Sequence, residues 1–390
     1  MKTRFLTARY SLILSFYWMG YAVVFAYVNL YLLDLGFTSG QAGLLMALSG
    51  LISALLQPVL AGYADRPDSL SLKTLNLLIG GGLALCGGIL PMVRSLPWAT
   101  VLVYGLALAL LHLASPFINA LAMTSLNCGS KLNYGVSKSA GAASFALASW
   151  ILGKATGRFG SPAVPVAIAG FFLLFLLSVS LYPTQRGPRG ESNHSSASAK
   201  AFAKKYPKFM VLLLGCALLY ISHVLLNSFT LQIIRTKGGD SEEMGTAMAI
   251  AALAELPTML AFNRLLKKRG SYYWLRLSGF FFVLKTLGTL LCGNVTEFYA
   301  LQLFQLLAWG MITMASVYYV NSITDPGDAV KGQAYFTTAY TLANVAGAVL
   351  GGRMIDAMGV PAMLIFGTIC AAAGTLVMCL FVEKTHGESR

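Results

Sequence analysis

Apolar runs of about 20 residues or more, the length that a helix needs to cross a lipid bilayer, follow one another along almost the whole chain. The 390 residues are 57% hydrophobic and only 11% charged, and the mean hydropathy is +0.69. A soluble fold of this length has no means of burying so much apolar surface. We therefore predict an all-α membrane protein with twelve transmembrane helices, near residues 10–33, 41–64, 72–93, 98–124, 133–157, 162–183, 208–234, 243–266, 272–292, 297–321, 330–354 and 361–382.

Basic residues are distributed unevenly between the two ends of these predicted helices. Of the 28 Lys and Arg residues, 21 fall at the termini and in the loops of one side, six fall on the opposite side, and Lys285 lies within a run. Short cytoplasmic loops of membrane proteins are enriched in Lys and Arg. We therefore expect a multi-pass protein of the plasma (inner) membrane with both termini in the cytoplasm. The positions of the basic residues in short loops account for the net charge of +14, so we expect no nucleic-acid partner.

A polar segment divides the chain into two similar halves. Residues 185–207 are rich in Ser, Ala, Lys and Arg, which is typical of a solvated cytoplasmic linker, although such a basic segment could also touch anionic lipid. We expect six-helix bundles at residues 1–184 and 208–390. Several small residues recur at nearly equal offsets of about 200, which is consistent with a parallel repeat. The recurring residues are Gly36, Ser39 and Gly43 with Gly238, Ser241 and Gly245, and Gly153, Gly160 and Pro162 with Gly352, Gly359 and Pro361.

Two charged side chains, Glu255 and Lys285, lie near the middle of the eighth and ninth apolar runs. A charge at the bilayer centre costs about 3 kcal/mol on insertion scales, so such residues face a protein interior or a water-filled path and usually pair. A dry site favours the neutral carboxylic acid, whereas a nearby ammonium favours the carboxylate. This balance predicts that Glu255 carries a proton and that Lys285 is its partner. A fixed structural ion pair between the two helices is the alternative.

The chain resembles the major facilitator superfamily over almost its whole length. The organisation in two sets of six helices is one sign, and Asp65-Arg66 after the second helix resembles the superfamily's G-x-x-x-D-R loop, with Ala61 where the first glycine usually falls. Other segments resemble the branch of lactose permease-type sugar symporters, nucleoside–proton symporters and phenylpropionate permeases. These are Ala254-Glu255-Leu256-Pro257, Gly332-Gln333-Ala334, and Tyr134-Gly135 with Gly141.

The resemblance implies roles for further residues. Asp65, with Arg66 and Lys138, would form a gate that stabilises the outward-facing state; a solvated surface pair is the alternative for Asp65 and Arg66. In the superfamily, helices 1, 4, 7 and 10 line the central cavity, so deep polar and aromatic residues on these helices and on helix 11 are candidates for substrate binding. Any of these residues could instead make an interhelical contact. The candidates are Tyr17, Tyr21, Asn29, His112, Asn119, His223, Asn227, Gln302, Gln305, Trp309 and Asn344.

We therefore expect a secondary transporter that takes up a small polar solute, preferably a sugar or a nucleoside, together with a proton by alternating access. The alternatives are import of small carboxylates, proton-antiport drug export, uniport and a non-transporting sensor. His112 or His223 could carry the proton instead of Glu255. The chain carries no ATP-binding, metalloprotease, serine-hydrolase or redox-cysteine motif, so we expect no enzyme, no cofactor and no metal site. We expect its partners to be the solute, protons and membrane lipid, and the protein to be a monomer.

Overall fold

A computed structural model describes residues 5–64, 69–183, 199–325 and 328–384, and every regular element in these ranges is helical. The elements in chain order are α1 Leu6–Tyr21, a π-helix Ala22–Ala26, α2 Val28–Asp34, α3 Ser39–Ala64, α4 Leu72–Ile89, α5 Pro97–Asn127, α6 Tyr134–Phe159, α7 Ala163–Ser180, α8 Ala199–Lys205, α9 Pro207–Ser228, α10 Thr230–Arg235, α11 Ser241–Lys268, α12 Ser271–Leu291, α13 Val295–Gln302, a 3-10 turn Leu303–Leu306, α14 Trp309–Ile323 and α15 Ala329–Phe381.

Within these described ranges, nine helical segments are long and apolar enough to cross a membrane, or ten if α1, the π-helix and α2 form one bent span. Large apolar side chains remain exposed along the helices, among them Leu55, Leu102 and Val166. Exposed apolar surface of this extent is a liability in water and suits contact with lipid. The chain is therefore an all-helical, multi-pass membrane protein.

The chain divides into two compact units, Met1–Ser192 and Asn193–Arg390. The first unit holds α1 to α7 and the second holds α8 to α15. Repeat-related glycines of the two units have similar positive φ angles: φ is 87° at Gly36 and 85° at Gly238, and it is 71° at Gly160 and 83° at Gly359. Only glycine adopts this conformation without strain, so these positions end helices in both units. At Gly359 the 53-residue α15 therefore consists of two helices joined at a break.

The first long helix of each unit is interrupted at corresponding positions, a feature that the apolar run near 10–33 did not predict. Helix α1 passes through the π-helix and stops at Tyr27, and the segment bends by 41° before α2. In the second unit α9 stops before Phe229 and α10 follows. Tyr27 and Phe229 are separated by the same offset as Gly36 and Gly238. Breaks of this kind within helices are frequent at functional sites.

Polar side chains at the loop boundaries fix where several helices begin. The side chains of Ser71, Asn133 and Asn294 accept hydrogen bonds from backbone N–H groups in the first turns of α4, α6 and α13. Helix α11 begins with a capping box of Asp240 and Glu243. These groups satisfy backbone donors that the first turn of a helix leaves unpaired.

Small residues allow close packing inside each unit. A Cβ atom at Gly80 in α4 would lie 2.7 Å from the Phe175 ring in α7, and one at Gly351 in α15 would lie 2.5 Å from the Phe229 ring. Contacts this short are possible only because glycine has no side chain at these positions. Helices α4 and α7 therefore approach closely in the first unit, and α15 packs along α9 in the second.

The segment 185–207, predicted to be a solvated linker, is described only from residue 199 onward. There it forms α8, and Phe202 is buried, with its ring centroid 4.8 Å from that of Tyr206 and 4.9 Å from that of Tyr335. The Lys205 ammonium lies 2.7 Å from the Asp325 carboxylate and 2.6 Å from the Asp328 carboxylate. These contacts dock α8 on the loop between α14 and α15, so the end of the segment is ordered structure.

Candidate functional site

A continuous chain of hydrogen bonds joins the two intramembrane charges of the second unit. The Lys285 ammonium donates to Oε1 of Gln305 at 2.5 Å, and Nε2 of Gln305 donates to Oε1 of Glu255 at 2.9 Å. Lys285 and Gln305 are each 2% exposed, and Glu255 is partly exposed. Among the ion pairs of the described residues, none joins Glu255 directly to Lys285. The predicted partnership of these two side chains is therefore mediated by an amide.

The backbone near Gln305 explains how three helices meet at this amide. Gln305 lies in the 3-10 turn between α13 and α14, where the helical hydrogen-bond pattern is interrupted. The Thr258 hydroxyl, one turn beyond Glu255 on α11, donates to the Leu306 carbonyl at 2.6 Å. A Cβ atom at Gly310 would lie only 3.5 Å from the Glu255 Cα, so α14 begins close to α11. The irregular turn and the glycine thus bring the amide to the carboxylate.

Aromatic and imidazole rings form a second group of contacts near these hydrogen bonds. The His223 ring stacks on Trp309, with centroids 3.8 Å apart and an interplanar angle of 6°. Tyr220 and Tyr340 contact the same indole, with centroids 5.8 Å and 5.4 Å from it. The Asn227 amide lies 3.1 Å from Nδ1 of His223. The His223 ring also meets Phe282 edge-on, with centroids 6.1 Å apart, so the stack adjoins α12 one turn before Lys285.

The second unit therefore collects most of its predicted site residues in one cluster. Gln302 is buried one turn before Gln305, but it takes part in none of the hydrogen bonds just described. Asn344 is half-buried on α15, where its amide donates to the Tyr340 carbonyl at 3.3 Å. Sequence reasoning did not select Tyr340 or Thr258. Tyr340 is placed one helical turn before Asn344 and faces Trp309, and that spacing was the available signal.

The first unit contains an aromatic cluster around the break in its first helix. Tyr21 contacts Phe25, Trp18 and His112, with ring centroids 5.2 Å, 5.1 Å and 6.3 Å apart. The Phe25 ring also meets the His112 imidazole edge-on at 5.7 Å. Sequence reasoning selected Tyr21 and His112 but not Phe25 or Trp18, which occupy neighbouring turns of the same helical segment.

Other predicted residues of the first unit are buried or bond to backbone carbonyls: the Tyr17 bond joins α1 to α5, whereas the His112 bond lies within α5. The Tyr17 hydroxyl donates to the Leu111 carbonyl at 3.2 Å, and Nδ1 of His112 lies 2.7 Å from the Leu108 carbonyl. Asn29 is 1% exposed in α2. Buried polar groups of this kind are commonly interhelical contacts in membrane proteins.

The comparisons with known proteins identify the family. The profile of the MFS_1-like family matches residues 7–366, nearly the whole chain. The chain belongs to this family. It is also 24% identical over 400 residues to a maltose permease of Geobacillus stearothermophilus, and the alignment covers 98% of each protein. The chain is thus a transporter of the major facilitator superfamily, a class that binds small-molecule substrates and includes no enzymes.

Solved structures of other transporters share this family's fold. A mutant form of the nucleoside transporter NupG superposes with a TM-score of 0.83 at 14% identity, covering 96% of this chain and 98% of that one. A peptide transporter of the POT family superposes with a TM-score of 0.74 at 10% identity, covering 97% and 98%. At this level of identity the likeness concerns the fold.

Of the three residues that the family resemblance assigned to a gate, the structure describes Lys138. Asp65 and Arg66 lie outside the described residues. The Lys138 ammonium lies 5.6 Å from the centroid of the Tyr134 ring, and the Tyr134 hydroxyl donates to Oδ1 of Asn119 at 2.9 Å. Asn119 therefore joins α5 to the start of α6, beside Lys138, and it lies apart from the aromatic cluster around Tyr21.

The described residues contain no group of three or more His, Cys, Asp or Glu side chains that could hold a metal ion. The two polar or aromatic clusters instead offer amides, one carboxylate, one ammonium and aromatic faces. Such groups bind small organic molecules through directed hydrogen bonds and stacking.

Proposed function

We propose that this transporter takes up a sugar or a nucleoside together with a proton by alternating access. The single observation that carries the proposal is the chain from Glu255 through Gln305 to Lys285, because it holds one titratable carboxylate against one ammonium inside an apolar helix bundle. The partly exposed Glu255 exchanges the proton, and Lys285 is its partner. The likeness to a maltose permease and to NupG supports a sugar or a nucleoside as the substrate.

Each unit has its own cluster of polar or aromatic groups that would contribute to substrate binding. In the second unit, Trp309 provides an aromatic face, and Asn227 and Asn344 provide amides. In the first unit, Tyr21 provides an aromatic ring with a hydroxyl, and His112 provides an imidazole. Neutral hydroxyl-rich or base-bearing solutes suit such groups, since aromatic faces and amides bind them without a fixed charge.

We also propose twelve transmembrane helices, which form six-helix bundles at residues 1–184 and 208–390. The count follows if α1 with α2 is one span, if α15 is two spans joined at Gly359, and if α6 spans despite its three basic residues. The excess of Lys and Arg on one side supports cytoplasmic termini in the plasma (inner) membrane. The protein would act as a monomer.

Uptake into proteoliposomes under an imposed pH gradient tests the coupling. We expect wild-type protein to accumulate labelled maltose or a labelled nucleoside, and Glu255→Gln to exchange substrate across the membrane without accumulating it. Glu242→Gln is the matched control, because this exposed carboxylate lies in the first turn of the same helix. Accumulation by Glu255→Gln equal to that of the control would remove Glu255 from the mechanism.

A small carboxylate is the second candidate substrate, and the environment of Lys285 favours it. This ammonium is almost fully buried, and its hydrogen-bond acceptor is a neutral amide rather than a carboxylate. A substrate carboxylate could therefore pair with it. Ligand-dependent thermal shifts over sugars, nucleosides and carboxylates distinguish the two, since a carboxylate ligand should lose far more of its shift in Lys285→Met than a neutral ligand.

A further inference from the structure

The amide of Gln305 is the only link that the hydrogen bonds show between Glu255 and Lys285 among the described residues. We infer that Gln305 is a positioning residue whose side-chain orientation couples protonation of Glu255 to release of the Lys285 ammonium. The inference rests on the proposed proton coupling at Glu255 and adds the step by which the proton is sensed.

The orientation of this amide is dictated by the charges on either side of it. An ammonium has only donors, so it requires the amide oxygen; a carboxylate has only acceptors, so it requires the amide NH₂. The structure has this arrangement, with Oε1 of Gln305 at 2.5 Å from Lys285 and Nε2 at 2.9 Å from Glu255. With Glu255 ionised, this orientation of the amide satisfies both charges.

Protonation changes what Glu255 requires. A proton bound on Oε1 of Glu255 turns this oxygen into an O–H donor, and the amide NH₂ that faces it is also a donor. Rotation of the amide by about 180° places Oε1 where Nε2 stood, at hydrogen-bond distance from Glu255. The same rotation turns the NH₂ group towards the Lys285 ammonium, donor against donor. The ammonium then loses its acceptor and becomes available to a substrate oxygen.

The backbone of Gln305 is held in place, and the terminal torsion of its side chain is intrinsically two-fold. The Thr258 hydroxyl fixes the Leu306 carbonyl at 2.6 Å, so the 3-10 turn is tied to the helix that carries Glu255. The terminal torsion of glutamine is broad and roughly two-fold, so both amide orientations are accessible. A fixed backbone with a rotatable amide is what a two-position relay requires.

Side-chain length and polarity make glutamine specific for this role. Asparagine is one methylene shorter and cannot reach both partners from the same backbone position. Methionine has similar length and no amide, so it breaks the chain at both ends. Glutamate has the same shape but would pair with Lys285 whether or not Glu255 is protonated. All three changes are therefore expected to separate substrate binding from proton coupling.

The test compares Gln305→Met, Gln305→Asn and Gln305→Glu with wild type in proteoliposomes. Relative to substrate exchange at equal pH on both sides, gradient-driven accumulation should fall by about tenfold or more, and the pH dependence of uptake should flatten. Gln41→Asn, at an exposed helix start in the first unit, is the control and should match wild type. A merely structural role for Gln305 would lower exchange and accumulation together and leave the pH profile unchanged.

Two outcomes separate this inference from the function on which it rests. If Glu255→Gln loses accumulation while all three Gln305 variants keep wild-type accumulation and pH dependence, the relay is wrong and proton coupling at Glu255 stands. If Glu255→Gln itself accumulates substrate normally, the proposed coupling fails first. Should Gln305→Met not fold, as judged by thermal unfolding, the same-shaped Gln305→Glu decides, and wild-type accumulation by that variant would overturn the relay.

Discussion

The stability of the second unit should depend on the charges of Glu255 and Lys285, and single substitutions should reveal this dependence. Lys285 is 2% exposed, and the bridge through Gln305 connects it to the only acidic side chain of the cluster. Removing one member of a buried charged pair is strongly destabilising because the other remains without compensation, whereas replacing both is often neutral. The amide bridge makes the coupling weaker than in a direct ion pair, but of the same sign.

A double-mutant cycle tests this dependence. We expect Glu255→Gln and Lys285→Met each to destabilise the protein by roughly 2 kcal/mol, and the double variant to return to within about 1 kcal/mol of wild type. Thermal unfolding in one detergent measures all four proteins. A double variant less stable than either single variant would show that the two charges do not compensate each other.

The stacked rings give a second residue-scale prediction, this time on binding. Trp309 presents its indole beside His223, Tyr220 and Tyr340, and it remains half-buried. If the indole contacts substrate, Trp309→Leu should weaken substrate binding by about tenfold, which is about 1.4 kcal/mol, and Trp309→Phe should lose less. Titration of the thermal shift gives the affinities. Trp98→Leu, at an exposed position of the first unit, should bind as wild type.

At the scale of helix packing, two adjacent glycines of α4 have opposite surroundings. A Cβ atom at Gly80 would meet the Phe175 ring at 2.7 Å, whereas one at Gly81 would meet nothing within 4 Å. Overpacking costs about 1–3 kcal/mol, and an unobstructed alanine in a helix gains about 0.5–1 kcal/mol over glycine. Gly80→Ala should therefore lower the unfolding temperature and Gly81→Ala should raise it slightly. Equal effects of the two substitutions would contradict close packing of α4 on α7.

The docked helix α8 is a second element whose position rests on identifiable contacts. The Tyr206 hydroxyl donates to the Asp328 carboxylate at 3.0 Å and accepts from the Asp325 backbone N–H at 3.1 Å. The hydrogen bond from Lys205 holds the pKa of Asp328 below its ordinary value, and the bonds to Asp325 and Asp328 raise the pKa of Lys205. These charges and the buried Phe202 keep α8 on the loop before α15.

The direction of these shifts fixes the pH range in which α8 stays docked. The contribution of Asp328 is present at neutral pH and is lost as pH falls through its lowered pKa, below about 4. The contribution of Lys205 is complete below about pH 10 and is lost as pH rises through its raised pKa. Because Lys205 and Asp325 are exposed, high salt should weaken these ion pairs at any pH.

Hydrogen exchange of residues 199–206 measures this docking. We expect Lys205→Ala and Asp328→Asn to speed amide exchange in α8 several-fold at neutral pH, and high salt to have the same effect on wild type. Lys204→Ala is the matched control, because this neighbouring lysine is exposed and makes none of these contacts. Unchanged exchange in both variants would mean that Phe202 alone holds the helix.

At the scale of the whole molecule, the sequence predicted an all-helical membrane protein because the length and polarity of an apolar run are local properties. Glu255, Lys285 and Gln305 could be selected for the same reason, since amides and charges within such runs are conspicuous. The bridging role of Gln305 could not be predicted, because it depends on a 3-10 turn that brings an amide within reach of two other helices. The breaks at Tyr27 and Phe229 escaped notice because neither position carries a proline or glycine signal.

The proposed orientation of the protein in the membrane is a prediction from its charge distribution, and native Cys128 tests it. This cysteine is exposed at the end of α5, in a loop that the charge count assigns to the cytoplasm, whereas Cys86, Cys216, Cys292 and Cys370 are buried. With partly buried Cys379 replaced by Ala, a membrane-impermeant maleimide should label Cys128 in inverted vesicles and leave it unlabelled in intact cells. Ser95→Cys in a Cys128→Ser background, at an exposed position on the opposite side, should give the reverse pattern. Labelling of Cys128 in intact cells would show that the predicted orientation is wrong. The side rich in Lys and Arg would then be external, contrary to the positive-inside rule.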